Sequence, residues 1–186
     1  MIDWLPATDF EDGRPGRIGM TVLPGKQGRS LRYPGRVYRN DLATDLDALR
    51  QAGISRLLLL VDDDELARWS DVTIVQRAAR FGVEIHRHPI PDGSPPDSIA
   101  AMDAIQVALT EARAVADVAV ACMGGVGRTG TVAACALICA GWHDDAAISR
   151  VRAVRHPTAV ETPSQEDFVR RYWVERQADQ VRSSRE

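Results

Sequence analysis

One cysteine, one arginine and several glycines stand close together in "ACMGGVGRTG" (Ala121–Gly130). Five residues separate Cys122 from Arg128, and Thr129 follows at once. This C-x5-R-[ST] spacing suits phosphoryl transfer. A cysteine placed where a strand turns into a helix faces backbone N–H groups and the positive helix end. There the thiolate is favoured, and reference values near ~8.5 fall to about 3.5–7.5. A tight loop brings Arg128 round to bracket the same oxyanion with its planar fork. Gly124, Gly125 and Gly127 are expected to take positive φ and turn the amides inward. Met123, Gly124, Gly125, Val126, Gly127 and Arg128 would then hold the phosphate oxygens while Cys122 attacks phosphorus in line.

Two other phosphate loops compete for the same residues. "GVGRTG" (Gly125–Gly130) formally matches the dinucleotide fingerprint G-x-G-x-x-G, which also needs a following strand with an acidic residue about twenty positions on. Here a helix follows, and the loop lies late in the chain. The nucleotide-triphosphate loop fails because Thr131 stands after Gly130, where lysine is required.

The elements that must position this loop are legible from periodicity. "DVAVAC" (Asp117–Cys122) reads as the strand entering it, and a helix from about Arg128 to Ala140, apolar nearly all round, leaves it. Earlier, a short strand is expected near Ile18–Leu23. A capped helix follows, with Leu42, Leu46 and Leu49 on one face and Gly53 closing it. "RLLLLV" (Arg56–Val61) has the continuous apolar run of a buried strand. A helical stretch around Val72–Phe81 and a strand over Val83–Ile90 precede the proline-rich "PDGSPPD". Asp97 is read as the N-cap of the next helix, and two more helices span about Asp144–Arg155 and Pro163–Gln180. Strands alternating with helices predict an α/β fold: a single domain with a central, mostly parallel sheet flanked by helices.

At 186 residues the chain is the size of one domain. Net charge is −3, and Lys26 is the sole lysine among 23 basic residues. This balance predicts no nucleic-acid or membrane partner. No apolar run is long enough to span a bilayer, the N-terminus is too acidic for a secretory signal, and a cytoplasmic protein is expected. Three cysteines do not make a disulfide framework.

On four ordered stretches the chain resembles the protein-tyrosine-phosphatase superfamily, of the dual-specificity type, and within it the cyclin-dependent-kinase-associated phosphatase branch. The stretches are "LPG" (Leu23–Gly25), "HRHPIPDGSPPD" (His86–Asp97), "CMGGVGRTGTVAAC" (Cys122–Cys135) and "ETPSQEDFVRRY" (Glu161–Tyr172). The resemblance implies a cysteine-phosphatase domain over residues 18–180, while Gly, Pro and Arg richness predicts a loop-rich lead-in at 1–17 and the polar end "VRSSRE" a frayed tail at 181–186. It implies Cys122 as nucleophile, Arg128 as phosphate clamp and Thr129 as hydroxyl donor to the leaving sulfur. Asp92 would be general acid and then base, and Gln165 would orient the hydrolytic water. No cofactor and no metal are implied. The expected partner is a phosphoprotein carrying phosphotyrosine, phosphoserine or phosphothreonine, or a small phosphate monoester. Arginine- and alanine-rich composition points to a GC-rich genome, and so to a bacterial member of the branch.

Family members usually carry histidine directly before the cysteine; this chain has Ala121. That departure supports an alternative, a weak or inactive phosphate-binding interaction protein of the same fold. Several residues also have a purely structural reading. Asp97 competes with Asp92 as acid. Thr162-Pro-Ser-Gln165 forms a capping box with proline at the first helical position, which accounts for Gln165 without catalysis. Asp62, Asp63 and Asp64 read as a solvated turn, His86 and His88 as strand-face histidines, and Cys135 and Cys139 as small core hydrophobes.

Overall fold

A computed structural model describes residues 2–30 and 35–183. In chain order the elements are β1 (Asp3–Leu5), β2 (Ile18–Val22), β3 (Gln27–Arg29), β4 (Val37–Arg39), α1 (Leu42–Gln51), β5 (Arg56–Leu59), α2 (Asp63–Trp69), α3 (Ile74–Arg80), β6 (Glu84–Arg87), α4 (Ile99–Arg113), β7 (Val118–Cys122), α5 (Gly127–Cys139), α6 (Asp144–Val154) and α7 (Pro163–Ser183). Five strands make one sheet in the order β1-β2-β7-β5-β6, with β1 antiparallel and the other pairings parallel. The fold is a single α/β domain with a mixed, mostly parallel central sheet.

The residues explain the layers. Leu57 to Val61 have no exposed surface, as a strand covered on both faces requires. Right-handed crossovers put the helices between β2, β5 and β6 on one face, and send α4 to the other as the chain returns to β7. On that second face α5 packs on β7 and β2 and is surrounded by α4, α6 and α7. Every residue from Gly127 to Ile138 is buried, so α5 is the central helix its all-round apolarity predicts.

Several local expectations are corrected. Within the loop-rich lead-in a short strand that the periodicity does not show, β1, pairs with β2 in the register Asp3↔Met20. Asp62–Asp64 is no solvated turn. The Asp62 carboxylate accepts from the Glu65 N–H at 2.8 Å, and Glu65 accepts from the Asp62 N–H at 3.2 Å, a capping box that starts α2. Ser98, not Asp97, caps α4, accepting from the Ala101 N–H at 3.0 Å. The strand expected over Val83–Ile90 is limited to β6, and the helix expected around Val72–Phe81 to α3. α7 continues to Ser183, past the expected start of a frayed tail; residues 184–186 of that tail lie outside the described residues. Among the described residues no helix is long and apolar enough to cross a membrane.

Candidate active site

Cys122 ends β7 opposite Val22, and Gly127 begins α5, so residues 123–126 form the turn between strand and helix. Its glycines do three different jobs. Gly125 alone takes positive φ, +65°, and a Cβ there would stand 2.3 Å from the Thr21 carbonyl oxygen. Gly127 has ordinary φ but no room: a Cβ would meet Glu161 Oε2 at 2.9 Å and Gln165 Oε1 at 3.0 Å. Gly124 has neither constraint, its nearest neighbour being Val126 Cγ2 at 4.0 Å. The expectation of positive φ at all three positions is therefore corrected to Gly125 only.

Ala121 is wholly buried in the sheet beside Thr21 and Leu59. The loop is held from elsewhere. Arg155, just after α6, donates from Nε to the Gly125 carbonyl at 2.7 Å and from Nη2 to the Gly124 carbonyl at 3.2 Å. Its Nη1 is anchored on the Asp3 carboxylate of β1. With these carbonyls drawn outward, the Gly124 N–H is left donating toward the sulfur.

Burial by itself pushes the Cys122 thiol up. The Arg128 charge, the Thr129 hydroxyl and the N–H groups of Thr129 and Gly124 outweigh it, so the thiol lies below its ordinary value. The Thr129 hydroxyl is fully buried and has no hydrogen-bond partner among the described residues, and it favours the Cys122 anion. A buried donor without a neutral partner is costly unless an anion uses it. Cys135 and Cys139 go the opposite way, both pushed up by burial.

Arg128 is buried and fully engaged at its terminal nitrogens. Glu65 takes both, at 2.6 and 2.7 Å, Nη1 also reaches the Ile90 carbonyl at 2.9 Å, and Nη2 reaches Asp92 Oδ1 at 2.8 Å. Burial disfavours the cation, but these carboxylates and the Cys122 sulfur more than compensate and push its pKa up. Asp92 lines the cleft above Cys122, whereas Asp97 lines a separate small pocket with His88. His86 does not line the cleft and pairs with Glu84. Burial, with His86 nearby, lowers the His88 pKa.

Gln165 is fully buried and serves two surfaces at once. It completes the capping box, its Oε1 accepting from Thr162 N–H at 3.3 Å and its own N–H donating to Thr162 Oγ1 at 3.3 Å. The same side chain lines the cleft, and its Nε2 donates to the Ser94 carbonyl at 3.2 Å. Thr162 Oγ1 donates to the Gly93 carbonyl at 2.9 Å, so α7 fastens the loop that carries Asp92. Cys122, Met123, Gly124, Val126, Gly127, Arg128, Asp92 and Gln165 thus share one cleft of about 830 Å³. Gly125 forms its hidden side, and Thr129 lies behind the sulfur.

Sequence reasoning missed Glu65 and Arg155. The capping signature Asp62-x-x-Glu65 was available to find the helix that carries Glu65, though not the arginine it meets. Nothing local singles out Arg155.

Residues 2–152 match the family model described as cyclin-dependent kinase inhibitor 3. The chain belongs to this family. The cyclin-dependent kinase inhibitor 3 of Rattus norvegicus is 26% identical over 176 residues, covering 92% of this chain and 77% of that protein. Among solved structures, kinase associated phosphatase with serine in place of its catalytic site cysteine matches at TM-score 0.78 and 26% identity, over 91% of both chains. Tk-PTP in its active form matches at TM-score 0.67 and 28% identity, over 89% of this chain and 95% of that one. The cyclin-dependent kinase inhibitor 3 family member described here is thus a dual-specificity member of the protein-tyrosine-phosphatase superfamily in fold.

Proposed function

We propose that this protein is a cysteine-dependent phosphatase acting on phosphotyrosine, phosphoserine or phosphothreonine monoesters. The observation that carries the reading is the Cys122 sulfur at the floor of the cleft. It is buried, yet its anion is favoured by Arg128, the Thr129 hydroxyl and the N–H groups of Thr129 and Gly124.

The chemistry runs in two balanced steps. Cys122 Sγ attacks phosphorus as the bond to the leaving oxygen breaks, and Asp92 gives that oxygen its proton. The loop amides of residues 123–127 and Arg128 hold the equatorial oxygens. Arg128 is presented by Glu65, and substrate phosphate takes over the Nη2 position that Asp92 occupies here, turning Asp92 toward the leaving oxygen. Water then attacks the phosphocysteine while the Asp92 carboxylate takes its proton and the Gln165 amide orients it. The sulfur leaves as thiolate, received by the Thr129 hydroxyl. No step uses a metal or cofactor.

Turnover of an aryl phosphate between about pH 5 and 7 tests the reading, since a thiol held below its ordinary value keeps its reactive thiolate as the pH falls. Cys122→Ser is expected to abolish turnover with the thermal transition retained. Asp92→Ala is expected to slow it by about 10²–10⁴-fold, most for substrates with poor leaving groups. Wild-type protein that binds vanadate but turns nothing over would instead be a phosphate-binding protein, the outcome Ala121 keeps in view.

A further inference from the structure

The segment joining α6 to α7, residues 155–162, puts Arg155, His156 and Glu161 into the wall of the Cys122 cleft. Arg155 braces the phosphate loop. His156 takes no part in the two steps above. Its setting nevertheless fixes both its position and its protonation.

The segment is held to one shape. His156-Pro157-Thr158-Ala159 forms a turn, closed by the Ala159 N–H on the His156 carbonyl at 2.8 Å, with proline at the first central position, where its fixed φ fits. Arg152 donates to the Ala159 carbonyl at 2.9 Å and the Val160 carbonyl at 3.3 Å. The Val160 N–H reaches the Val126 carbonyl of the phosphate loop at 3.4 Å. A Cβ on Gly130 would stand 2.8 Å from the Val160 nitrogen, so α5 comes this close only because it has glycine there. Val160 itself has φ +57°, the one non-glycine residue at positive φ among the described residues. A β-branched residue is strained in that region, and the surrounding bonds must impose it. Strain of this kind gathers at functional sites, where a wall has to be held in place.

Thr158 sets the His156 ring. Its N–H donates to Nδ1 at 3.2 Å, and its hydroxyl oxygen lies 2.9 Å from the same nitrogen. A ring nitrogen that accepts from an amide carries no proton, so the proton is on Nε2. Thr158 does not line the cleft and His156 does, which leaves the Nε2 edge of the ring to the cleft. Among the described residues Nε2 has no hydrogen-bond partner. The wall thus holds one neutral, oriented N–H donor, a single residue away from the arginine that grips the Gly124 and Gly125 carbonyls.

Charge does not choose the ligand of this donor, because Asp62, Asp64, Glu65 and Glu161 line the cleft together with its arginines. The phosphoryl oxygens are served by the loop amides and Arg128. A neutral N–H suits a neutral acceptor, and the one that every residue of a polypeptide carries is its main-chain carbonyl. At about 830 Å³ the cleft has room for main chain beside the phosphoresidue.

We propose that His156 is a specificity-determining residue whose Nε2–H donates to a main-chain carbonyl of the substrate beside the phosphoresidue, and that the protein thereby favours phosphorylated polypeptide over small phosphate monoesters. This rests on the phosphatase reading above.

The test compares an aryl phosphate, which has no main chain, with a phosphopeptide whose flanking residues are neutral. Turnover of both is measured for wild type, His156→Phe, which keeps a ring but loses the donor, and His156→Gln, whose amide nitrogen stands near the place of Nε2. His156→Ala serves if the phenylalanine variant does not fold. His156→Phe is expected to lower kcat/KM for the peptide by about three- to ten-fold, the scale of one neutral hydrogen bond, and to leave the aryl phosphate unchanged. The loss should reside in KM, and His156→Gln should recover most of it. The same fold-change is expected in peptide affinity by fluorescence anisotropy, with each variant placed in a Cys122→Ser background, while competition by inorganic phosphate stays constant. Equal losses for peptide and aryl phosphate would make His156 a structural or phosphate-contacting residue and overturn the proposal. Peptide turnover and affinity unmoved by His156→Phe would overturn it too. Failure of wild type to turn over the aryl phosphate would count against the phosphatase reading alone, because the binding comparison would still decide the role of His156.

Discussion

At the scale of single residues, the site is defined by how much each group's surroundings oppose or favour its charge. Three cysteines of identical chemistry diverge: desolvation raises Cys135 and Cys139, whereas Arg128, Thr129 and two amides lower Cys122, which is buried like Cys135; Cys139 is exposed, not the core hydrophobe its spacing suggests. Iodoacetamide at about pH 6.5, well below the ordinary thiol value of about 8.5, should therefore label Cys122 and leave the other two unmodified by peptide mass mapping. The sign follows from the thiolate being the reactive form. A lowered pKa keeps Cys122 reactive as pH falls, down to that pKa. Arg128→Ala removes the nearest positive charge and should move the labelling midpoint upward. Labelling of all three cysteines together would contradict this account. The C-x5-R spacing identified the pair directly, because a strand–turn–helix junction brings such positions together whatever surrounds them. The choice between Asp92 and Asp97 as cleft residue depended on which side of the acid loop turned inward.

At the scale of elements, the loop between β7 and α5 depends on one backbone conformation and two close approaches. Gly125→Ala combines positive φ with a Cβ 2.3 Å from the Thr21 carbonyl, where only backbone movement gives relief. It should cost about 3 kcal/mol in denaturant unfolding, the sum of backbone strain and overpacking, and abolish aryl phosphate turnover. Gly124→Ala, with open space and ordinary φ, should remain within about 0.5–1 kcal/mol of wild type. Equal losses from the two would show that the glycines act alike, as the sequence by itself suggested. Helix boundaries were legible where caps are local. Thr162-Pro-Ser-Gln165 behaves as its spelling predicts, and Asp62-x-x-Glu65 carries the same kind of signal in three acidic residues that resemble a solvated turn.

At the scale of the whole molecule, the edge strand β1 takes part in the site. Asp3 holds Arg155 across 152 residues of chain, and Arg155 holds the two loop carbonyls. This brace holds a loop whose nucleophile candidate is preceded by Ala121, a side chain with no hydrogen-bonding group. Arg155→Ala should lower kcat for aryl phosphate by about 10- to 100-fold, the cost of a slightly misplaced nucleophile, and raise the Cys122 labelling midpoint. Asp3→Asn should act in the same direction, but less. Arg155→Lys should not restore activity, since one ammonium cannot bridge two carbonyls and a carboxylate in a single plane. An unchanged labelling midpoint in Arg155→Ala would mean that the loop holds its own shape.

The sequence by itself determined that Cys122 and Arg128 share one strand–turn–helix loop, the helix behind them and the alternating α/β order, because each is written within a few residues or one period. Tertiary structure alone decided that Glu65 grips Arg128 from 63 residues away, that Asp92 rather than Asp97 enters the cleft, and that Arg155 does the bracing. The physical reason is the range of the interactions. Caps, turns and apolar periods are satisfied by neighbours in the chain, whereas a buried charge is satisfied by whichever partner the packed sheet and helices deliver.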